Sequence, residues 1–263
     1  MEVAGRIAVV TGAGGGIGRA LARALAEAGA AHVVCADINE AEVTETARAV
    51  GGTAIRTDMA REEDIRRLIE RTEAEIGPIS LFCGNAGIIL RGGWEVPDAD
   101  WQRIWDINVM AHVRAARLLV PRMQARGEGH FLITASAAGL LNQVGAAPYG
   151  VTKHAVIGLA EWLALTHGDD GIGVTVLCPQ AVRTAMTAGR EKGVASINGM
   201  LEPEAVAETA LAAVRDGRFL ALPHPEVEAY MRRKTDDYDR WIGGMRKLNR
   251  QFGAAARPVP AQT

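Results

Sequence analysis

Strand-like and helix-like segments alternate along most of the chain, which predicts an α/β fold: one doubly wound domain of about seven parallel strands with helices on both faces. Three observations carry this reading. A short β-branched run at residues 7–10 ends in a glycine-rich turn, residues 11–18, and passes directly into a helical pattern over 19–28. A second apolar strand, residues 32–36, ends on an acidic residue, Asp37. Residues 149–165 carry Val156, Leu159, Ala160, Leu163 and Ala164 at spacings of three and four, the repeat of a buried helix face.

Composition excludes several function classes. Of 263 residues, 48% are apolar and 23% charged, enough for a sizeable core under a solvated surface. A net charge of -2 gives no basic field, so neither nucleic acid nor an anionic membrane is an expected partner. No apolar run approaches the ~20 residues of a membrane span. The opening Met-Glu-Val-Ala-Gly-Arg-Ile has no basic region followed by an apolar stretch, so a cytoplasmic protein is expected. Cys35, Cys83 and Cys178 each lie in an apolar, strand-like run and read as buried thiols, with no metal-ligand spacing among the Cys and His residues.

In chain order, the first strand, turn and helix have the layout that presents helix N-terminal amides to a pyrophosphate. Five glycines within residues 11–18, among them Gly12, Gly16 and Gly18 beside Ile17, permit close approach of backbone to ligand. Asp37 stands 19 positions after Gly18, placed for adenosine ribose hydroxyls, with Ile38 behind it. A third unit follows: a strand at 53–57, then Asp58 and Met59, then a charged amphipathic helix from about 61 to 76. A fourth strand, 79–83, runs into Gly84, Asn85, Ala86 and Gly87. Residues 97–124 are helical in pattern and expected to kink or end near Pro121; Asn108 is a polar residue in their apolar stripe, either a satisfied core amide or a functional one. The fifth strand, 130–135, delivers Ser136. A sixth, 173–178, is followed by Pro179, Gln180, Val182 and Thr184; then come a helix at 203–215 and a short seventh strand at 219–222.

Tyr149 and Lys153 are four residues apart on the helix between the fifth and sixth strands, so their side chains share one face. A free phenol titrates near pH 10. An ammonium at ~4 Å in an effective dielectric of ~20 would favour phenolate by ~4 kcal/mol, about three pKa units. Taken alone the pairing reads as an ordinary pair on a helix; with the rest of the chain it points to a general acid/base.

These residues together resemble the short-chain dehydrogenase/reductase family from about Gly5 to Leu222. The likeness rests on Thr11-Gly-x-x-x-Gly-x-Gly18, Asn85-Ala-Gly87, Asn108, Ser136, Tyr149-x-x-x-Lys153 and Pro179 with Thr184, in family order, with Ser136 13 residues before Tyr149. The resemblance implies a Rossmann-type domain over residues 1–222 that exchanges a hydride between nicotinamide and a secondary alcohol or ketone. Tyr149 would be the acid/base, Lys153 would lower its pKa and hold the nicotinamide ribose, Ser136 would bond the substrate oxygen, and Asn108 would support a water relay. The cofactor would lie along Gly12, Gly16, Ile17, Gly18, Asp37, Ile38, Asp58, Met59, Asn85, Ala86, Gly87, Tyr149, Lys153, Pro179, Val182 and Thr184. Family members are commonly dimers or tetramers, so a homo-oligomer is implied. There are two departures. Gly84 stands where the family often has asparagine. Gln180 stands where glycine usually follows the proline, its amide sent towards cofactor or substrate or turned to solvent.

Asp37 would accept hydrogen bonds from ribose hydroxyls but would face the near-double charge of a 2′-phosphate. Even in a water-like dielectric that disfavours NADP by ~2 kcal/mol, or ~30-fold, at ~4 Å. NAD is therefore the expected cofactor. The competing readings are a non-catalytic dinucleotide-binding sensor or scaffold and an NADPH-type ketoacyl reductase. Residues 223–253 read as a helical extension of the same domain and 254–263 as a disordered tail. In that extension Val227, Met231, Lys234, Tyr238, Trp241, Met245, Leu248 and Phe252 form a helical seam, with a break expected at Gly243-Gly244. The seam packs either on its own subunit's surface, or at the substrate mouth or a neighbouring subunit.

Overall fold

Seven strands pair in parallel in the order β3-β2-β1-β4-β5-β6-β7, in a computed structural model that describes residues 1–189 and 193–253. They are β1 (Ile7–Thr11), β2 (His32–Asp37), β3 (Thr53–Arg56), β4 (Leu81–Gly84), β5 (Gly129–Thr134), β6 (Ile172–Leu177) and β7 (Leu220–Ala221). The α-helices of the described residues are α1 (Gly16–Glu27), α2 (Glu40–Val50), α3 (Glu62–Glu75), α4 (Asp98–Trp105), α5 (Ala111–Arg126), α6 (Ala138–Leu141), α7 (Ala147–His167), α8 (Pro203–Arg215), α9 (Glu226–Asp236) and α10 (Tyr238–Phe252). The expected tail at 254–263 lies outside the described residues.

Successive strand residues point to opposite faces, and both faces are buried, as the near-continuous apolar runs require. Val9, Phe82, Phe131 and Ile133 pack towards α3, α5 and α7. Ala8, Val10, Leu81 and Leu132 pack towards α1, α2 and α8. This is a Rossmann-type sheet, and its strand order reverses between β1 and β4. The crevice beyond their carboxyl ends is where such sheets bind ligands.

Two expected breaks fall elsewhere. Pro121 does not end its helix: α5 runs through it to Arg126. A proline inside a helix costs about 3 kcal/mol, and here the buried face of Ala115, Leu119, Val120 and Met123 holds the segment helical across it. The irregularity lies earlier, in a five-residue π turn, Asp106–Met110, between α4 and α5. In the tail, α10 passes through Gly243 and Gly244, and the chain breaks at Asp237 instead. Asp237 is extended (φ -154°, ψ 96°) and its Oδ1 accepts from the Arg240 N–H at 2.9 Å. An aspartate N-cap thus starts a new helix more decisively than two glycines interrupt one.

The cysteines are free and buried. Burial pushes the Cys35 and Cys178 thiols up to about 12 and raises Cys83 as well, so all three are poor nucleophiles. Among the described residues no helix is long and apolar enough to cross a membrane, and no His, Cys, Asp and Glu side chains cluster as metal ligands.

The end of β4 has an unusual neighbour. A Cβ built on Gly84 would lie 2.6 Å from Nδ1 of His112, an imidazole on α5 that is 6% exposed. The ring occupies the space that a side chain at position 84 would need. Gly84→Ala is expected to cost ~1–3 kcal/mol by overpacking, and His112→Ala in the same chain to recover most of that loss. Urea midpoints of the three variants check it; a fully stable Gly84→Ala would show that the imidazole moves aside freely.

Candidate active site

At the switch point one hydroxyl ties two strand ends together. Thr11 Oγ1 accepts from the backbone N–H groups of Asn85 (2.9 Å) and Ala86 (3.1 Å) and donates to the Cys83 carbonyl (3.4 Å). The Asn85 amide donates in turn to the carbonyl of Thr11 at 3.1 Å. The glycines beside this joint leave no room for a side chain. A Cβ on Gly18 would lie 2.0 Å from the Gly12 carbonyl oxygen, and one on Gly12 would lie 2.9 Å from Ala86 Cα. Gly16 has φ +49° with the Thr184 methyl facing it, whereas a Cβ on Gly15 would meet nothing within 4 Å. The turn is thus tight on its protein side and open on the other.

That open side faces a cavity of about 1470 Å³. At one end stands Asp37, whose carboxylate accepts from the N–H groups of Gly14 and Asn39, each at 2.9 Å. Two backbone donors orient it and leave lone pairs for ribose hydroxyls. A cradle without side chains and an oriented carboxylate fit the ribose and pyrophosphate of a dinucleotide.

Ser136, Tyr149 and Lys153 line the same cavity. Ser136 follows β5; its Oγ donates to the Pro179 carbonyl (3.3 Å) and accepts from the Ala138 N–H (3.1 Å). Tyr149 sits in the first turn of α7. Burial raises its phenol above the ordinary value, and the hydrogen bond with Ser136 pulls it back down. The expected depression by Lys153 is not what the site displays. Lys153 Nζ donates to the Thr134 carbonyl at 2.9 Å and lies 5.6 Å from the centroid of the Tyr149 ring. Burial brings Lys153 itself down to about 8, so the site's cation is present at neutral pH and lost in mild alkali. Desolvation outweighs the charge pairing on which the sequence argument relied.

Asn108 does not line the cavity. It is fully buried in the π turn, and its amide clamps Ile88: Oδ1 accepts from the Ile88 N–H (2.9 Å) and Nδ2 donates to the Ile88 carbonyl (3.0 Å). Nδ2 also reaches Thr152 Oγ1 at 3.2 Å. The side chain is an amide bonded through both ends that positions the segment after Gly87 against α7.

The cavity gathers Gly12, Gly16, Ile17, Asp37, Asn85, Ala86, Gly87, Pro179, Val182 and Thr184 of the expected cofactor residues. It does not include Gly18, which supports the turn from beneath. Ile38 is 56% exposed beside it and Met59 is packed in the core. Asp58 turns its Oδ1 to the Ala60 N–H at 2.9 Å within its own loop.

His112, His224 and Asn142 carry no signal in the sequence, unlike Gln180. His112 has no partner for Nε2 and is held down to about 3 by burial and then by the Lys153 charge. Gln180 lines the cavity, and its backbone N–H donates to Nδ1 of buried His224 at 3.2 Å, tying the loop after β6 to the root of the tail. Asn142, at the cavity's edge, is the non-glycine residue with positive φ (73°) among those described. Such strain concentrates at binding sites.

A family model described as short chain dehydrogenase matches residues 6–195. The 1-deoxy-11-beta-hydroxypentalenate dehydrogenase of Streptomyces exfoliatus is 34% identical, covering 92% of this chain and 91% of its own. The cis-4-hydroxycyclohexanecarboxylate dehydrogenase of Sinomonas cyclohexanicum is 34% identical over 77% of this chain and 86% of its own. A crystal structure of a short chain dehydrogenase/reductase from Burkholderia phymatum in complex with NAD superposes with a TM-score of 0.82, at 29% identity, over 91% of this chain and 96% of that one.

Tyr149→Phe is expected to leave dinucleotide binding intact and to lower turnover at least ~100-fold, a loss of ~2.7 kcal/mol. In the carbonyl-reducing direction the rate is expected to fall as pH rises through about 8, where Lys153 loses its charge. A Tyr149→Phe variant retaining a tenth of the rate, or a reduction rate flat to pH ~10, near the free phenol's pKa, would contradict the assignment.

Proposed function

The chain belongs to the short-chain dehydrogenase/reductase family, and on that premise we propose that it is an NAD-dependent oxidoreductase of ring-borne secondary alcohols and their ketones. The observation that carries this reading is one cavity shared by the glycine turn, Asp37, Ser136, Tyr149 and Lys153. Relatives in this family bind nicotinamide dinucleotides, NAD or NADP. A bound nicotinamide would supply the hydride acceptor in oxidation and the donor in reduction.

The chain's own residues handle the oxygen and its proton. In oxidation the alcohol O–H passes its proton to the Tyr149 oxygen as the carbinol hydrogen leaves with its electron pair. In reduction the phenol returns a proton to the forming alkoxide. Ser136 holds that oxygen once its hydroxyl turns from the Pro179 carbonyl, supplying a hydrogen bond while the charge changes. Lys153, buried and charged below about pH 8, stands 5.6 Å from the centroid of the Tyr149 ring and would hold the cofactor's ribose. The fixed carbonyl of Thr134 aims its ammonium.

Asp37 supports NAD over NADP, because its carboxylate is held in place by Gly14 and Asn39 and would meet a 2′-phosphate directly. The ring-alcohol assignment draws on the relative that acts on cis-4-hydroxycyclohexanecarboxylate. A homodimer or homotetramer is part of the proposal: Val151, Trp162 and Leu165 on α7 are 48%, 55% and 86% exposed, more apolar area than a solvated helix face ordinarily carries.

NADH absorbance with a panel of cyclic and acyclic secondary alcohols tests the activity, with NAD and NADP compared throughout. Turnover with ring alcohols is expected, with NAD preferred by ~30-fold on the electrostatic argument above. Tight NAD binding without turnover of any alcohol would favour a non-catalytic sensor. Asp37→Ala is expected to narrow the preference mainly by improving NADP binding. An unchanged ratio would mean that the carboxylate does not meet the ribose.

A further inference from the structure

The tail beyond β7 closes over the same cavity as the catalytic residues. Trp241, Met245, Leu248 and Phe252 of α10 line it, together with Leu141 at the end of α6 and Val144 beyond it. Fastenings hold this roof on its own subunit. Lys234 Nζ donates to the Leu140 carbonyl at 2.6 Å, and Tyr230 Oη donates to Asn198 Oδ1 at 3.1 Å. Val227 is buried against Ala137 and Leu141, with Trp241 packed beside them. The roof is therefore anchored to the segment that immediately follows Ser136.

The two glycines of α10 take on meaning here. Each costs a helix about 1 kcal/mol relative to alanine, yet α10 keeps both and remains helical. Gly244 lines the cavity, and a Cβ built on it would meet nothing within 4 Å. The helix is thinned over open space, on a side that lines the cavity. A cavity of about 1470 Å³ also exceeds the ~300–1,000 Å³ of an ordinary small-molecule pocket, so room remains after a dinucleotide lies along the glycine turn.

We propose that α10 forms the roof of the substrate half of the cavity, and that Gly244 gives it the height to admit a bulky, apolar, fused-ring secondary alcohol. Leu248 and Phe252 supply the apolar contacts, and the missing side chain at Gly244 sets the size limit. The inference rests on the hydride-transfer reading above for its chemistry but not for its geometry.

Gly244→Phe tests it without endangering the helix, since phenylalanine is the better helix former. Decalol, a fused-ring alcohol, and isopropanol are compared as substrates with NAD in the full-length protein. Gly244→Phe is expected to lower kcat/KM for decalol at least ~10-fold and for isopropanol less than ~3-fold, with NADH affinity retained. Leu248→Ala is expected to raise KM for decalol several-fold with little change in kcat. Lys247→Ala, on the exposed side of α10, serves as the control and is expected to change neither. Equal losses on both alcohols, or none with Gly244→Phe, would overturn the proposal. If wild type oxidises neither alcohol, the hydride-transfer reading fails first. The roof is then judged by equilibrium binding of decalone to the NADH-loaded protein, which Gly244→Phe must weaken ~10-fold for the proposal to stand.

Discussion

The site depends on how closely β1 and β4 are joined where the sheet changes direction. A parallel sheet opens a crevice at such a point, because the connections from the two strands leave to opposite faces. In this chain the Thr11 hydroxyl closes the crevice's floor by serving three backbone groups of the β4 turn. Gly12 and Gly18 bring the glycine turn down onto that floor, at distances no side chain would tolerate. Without this joint the turn would not stand between Asp37 on one side and Asn85 to Gly87 on the other, and the cavity would lose its cofactor half.

The reacting half is held by a second set of constraints, also made largely by backbone groups. Lys153 is fixed by the Thr134 carbonyl and Ser136 by the Pro179 carbonyl. Asn108 stitches Ile88 to the helix that carries Tyr149 and Lys153. The groups proposed to meet substrate are therefore mounted on backbone groups of the scaffold, which is how a site keeps its geometry through a reaction cycle. Burial accounts for the electrostatics as well: it raises the Tyr149 phenol and lowers Lys153, disfavouring the charged form of each.

Much of the fold was legible in the sequence because parallel strands and amphipathic helices write their periods directly into it. Thr11, Asp37, Ser136, Tyr149 and Lys153 were legible because each stands at a strand or helix end next to a recognisable pattern. Other features left no such trace. The π turn that aims Asn108 adds one residue to a helical ladder without altering composition. His112 pairs with Gly84 across 28 residues of chain, and His224 meets Gln180 across 44; each pair exists only once the chain has folded. Gly243-Gly244 suggested a break, but the packing of α10 over the cavity and the Asp237 cap overrode local propensity.

The central claim is that these residues transfer a hydride between an alcohol carbon and a nicotinamide. It is met most directly by incubating the protein with NAD and a ring alcohol deuterated at the carbinol carbon, then examining the nucleotide by NMR. The account predicts deuterium on one face of the nicotinamide ring, with unlabelled solvent contributing none there. Label appearing on neither NADH nor NADPH, or exchanged with water before reaching the ring, would contradict it.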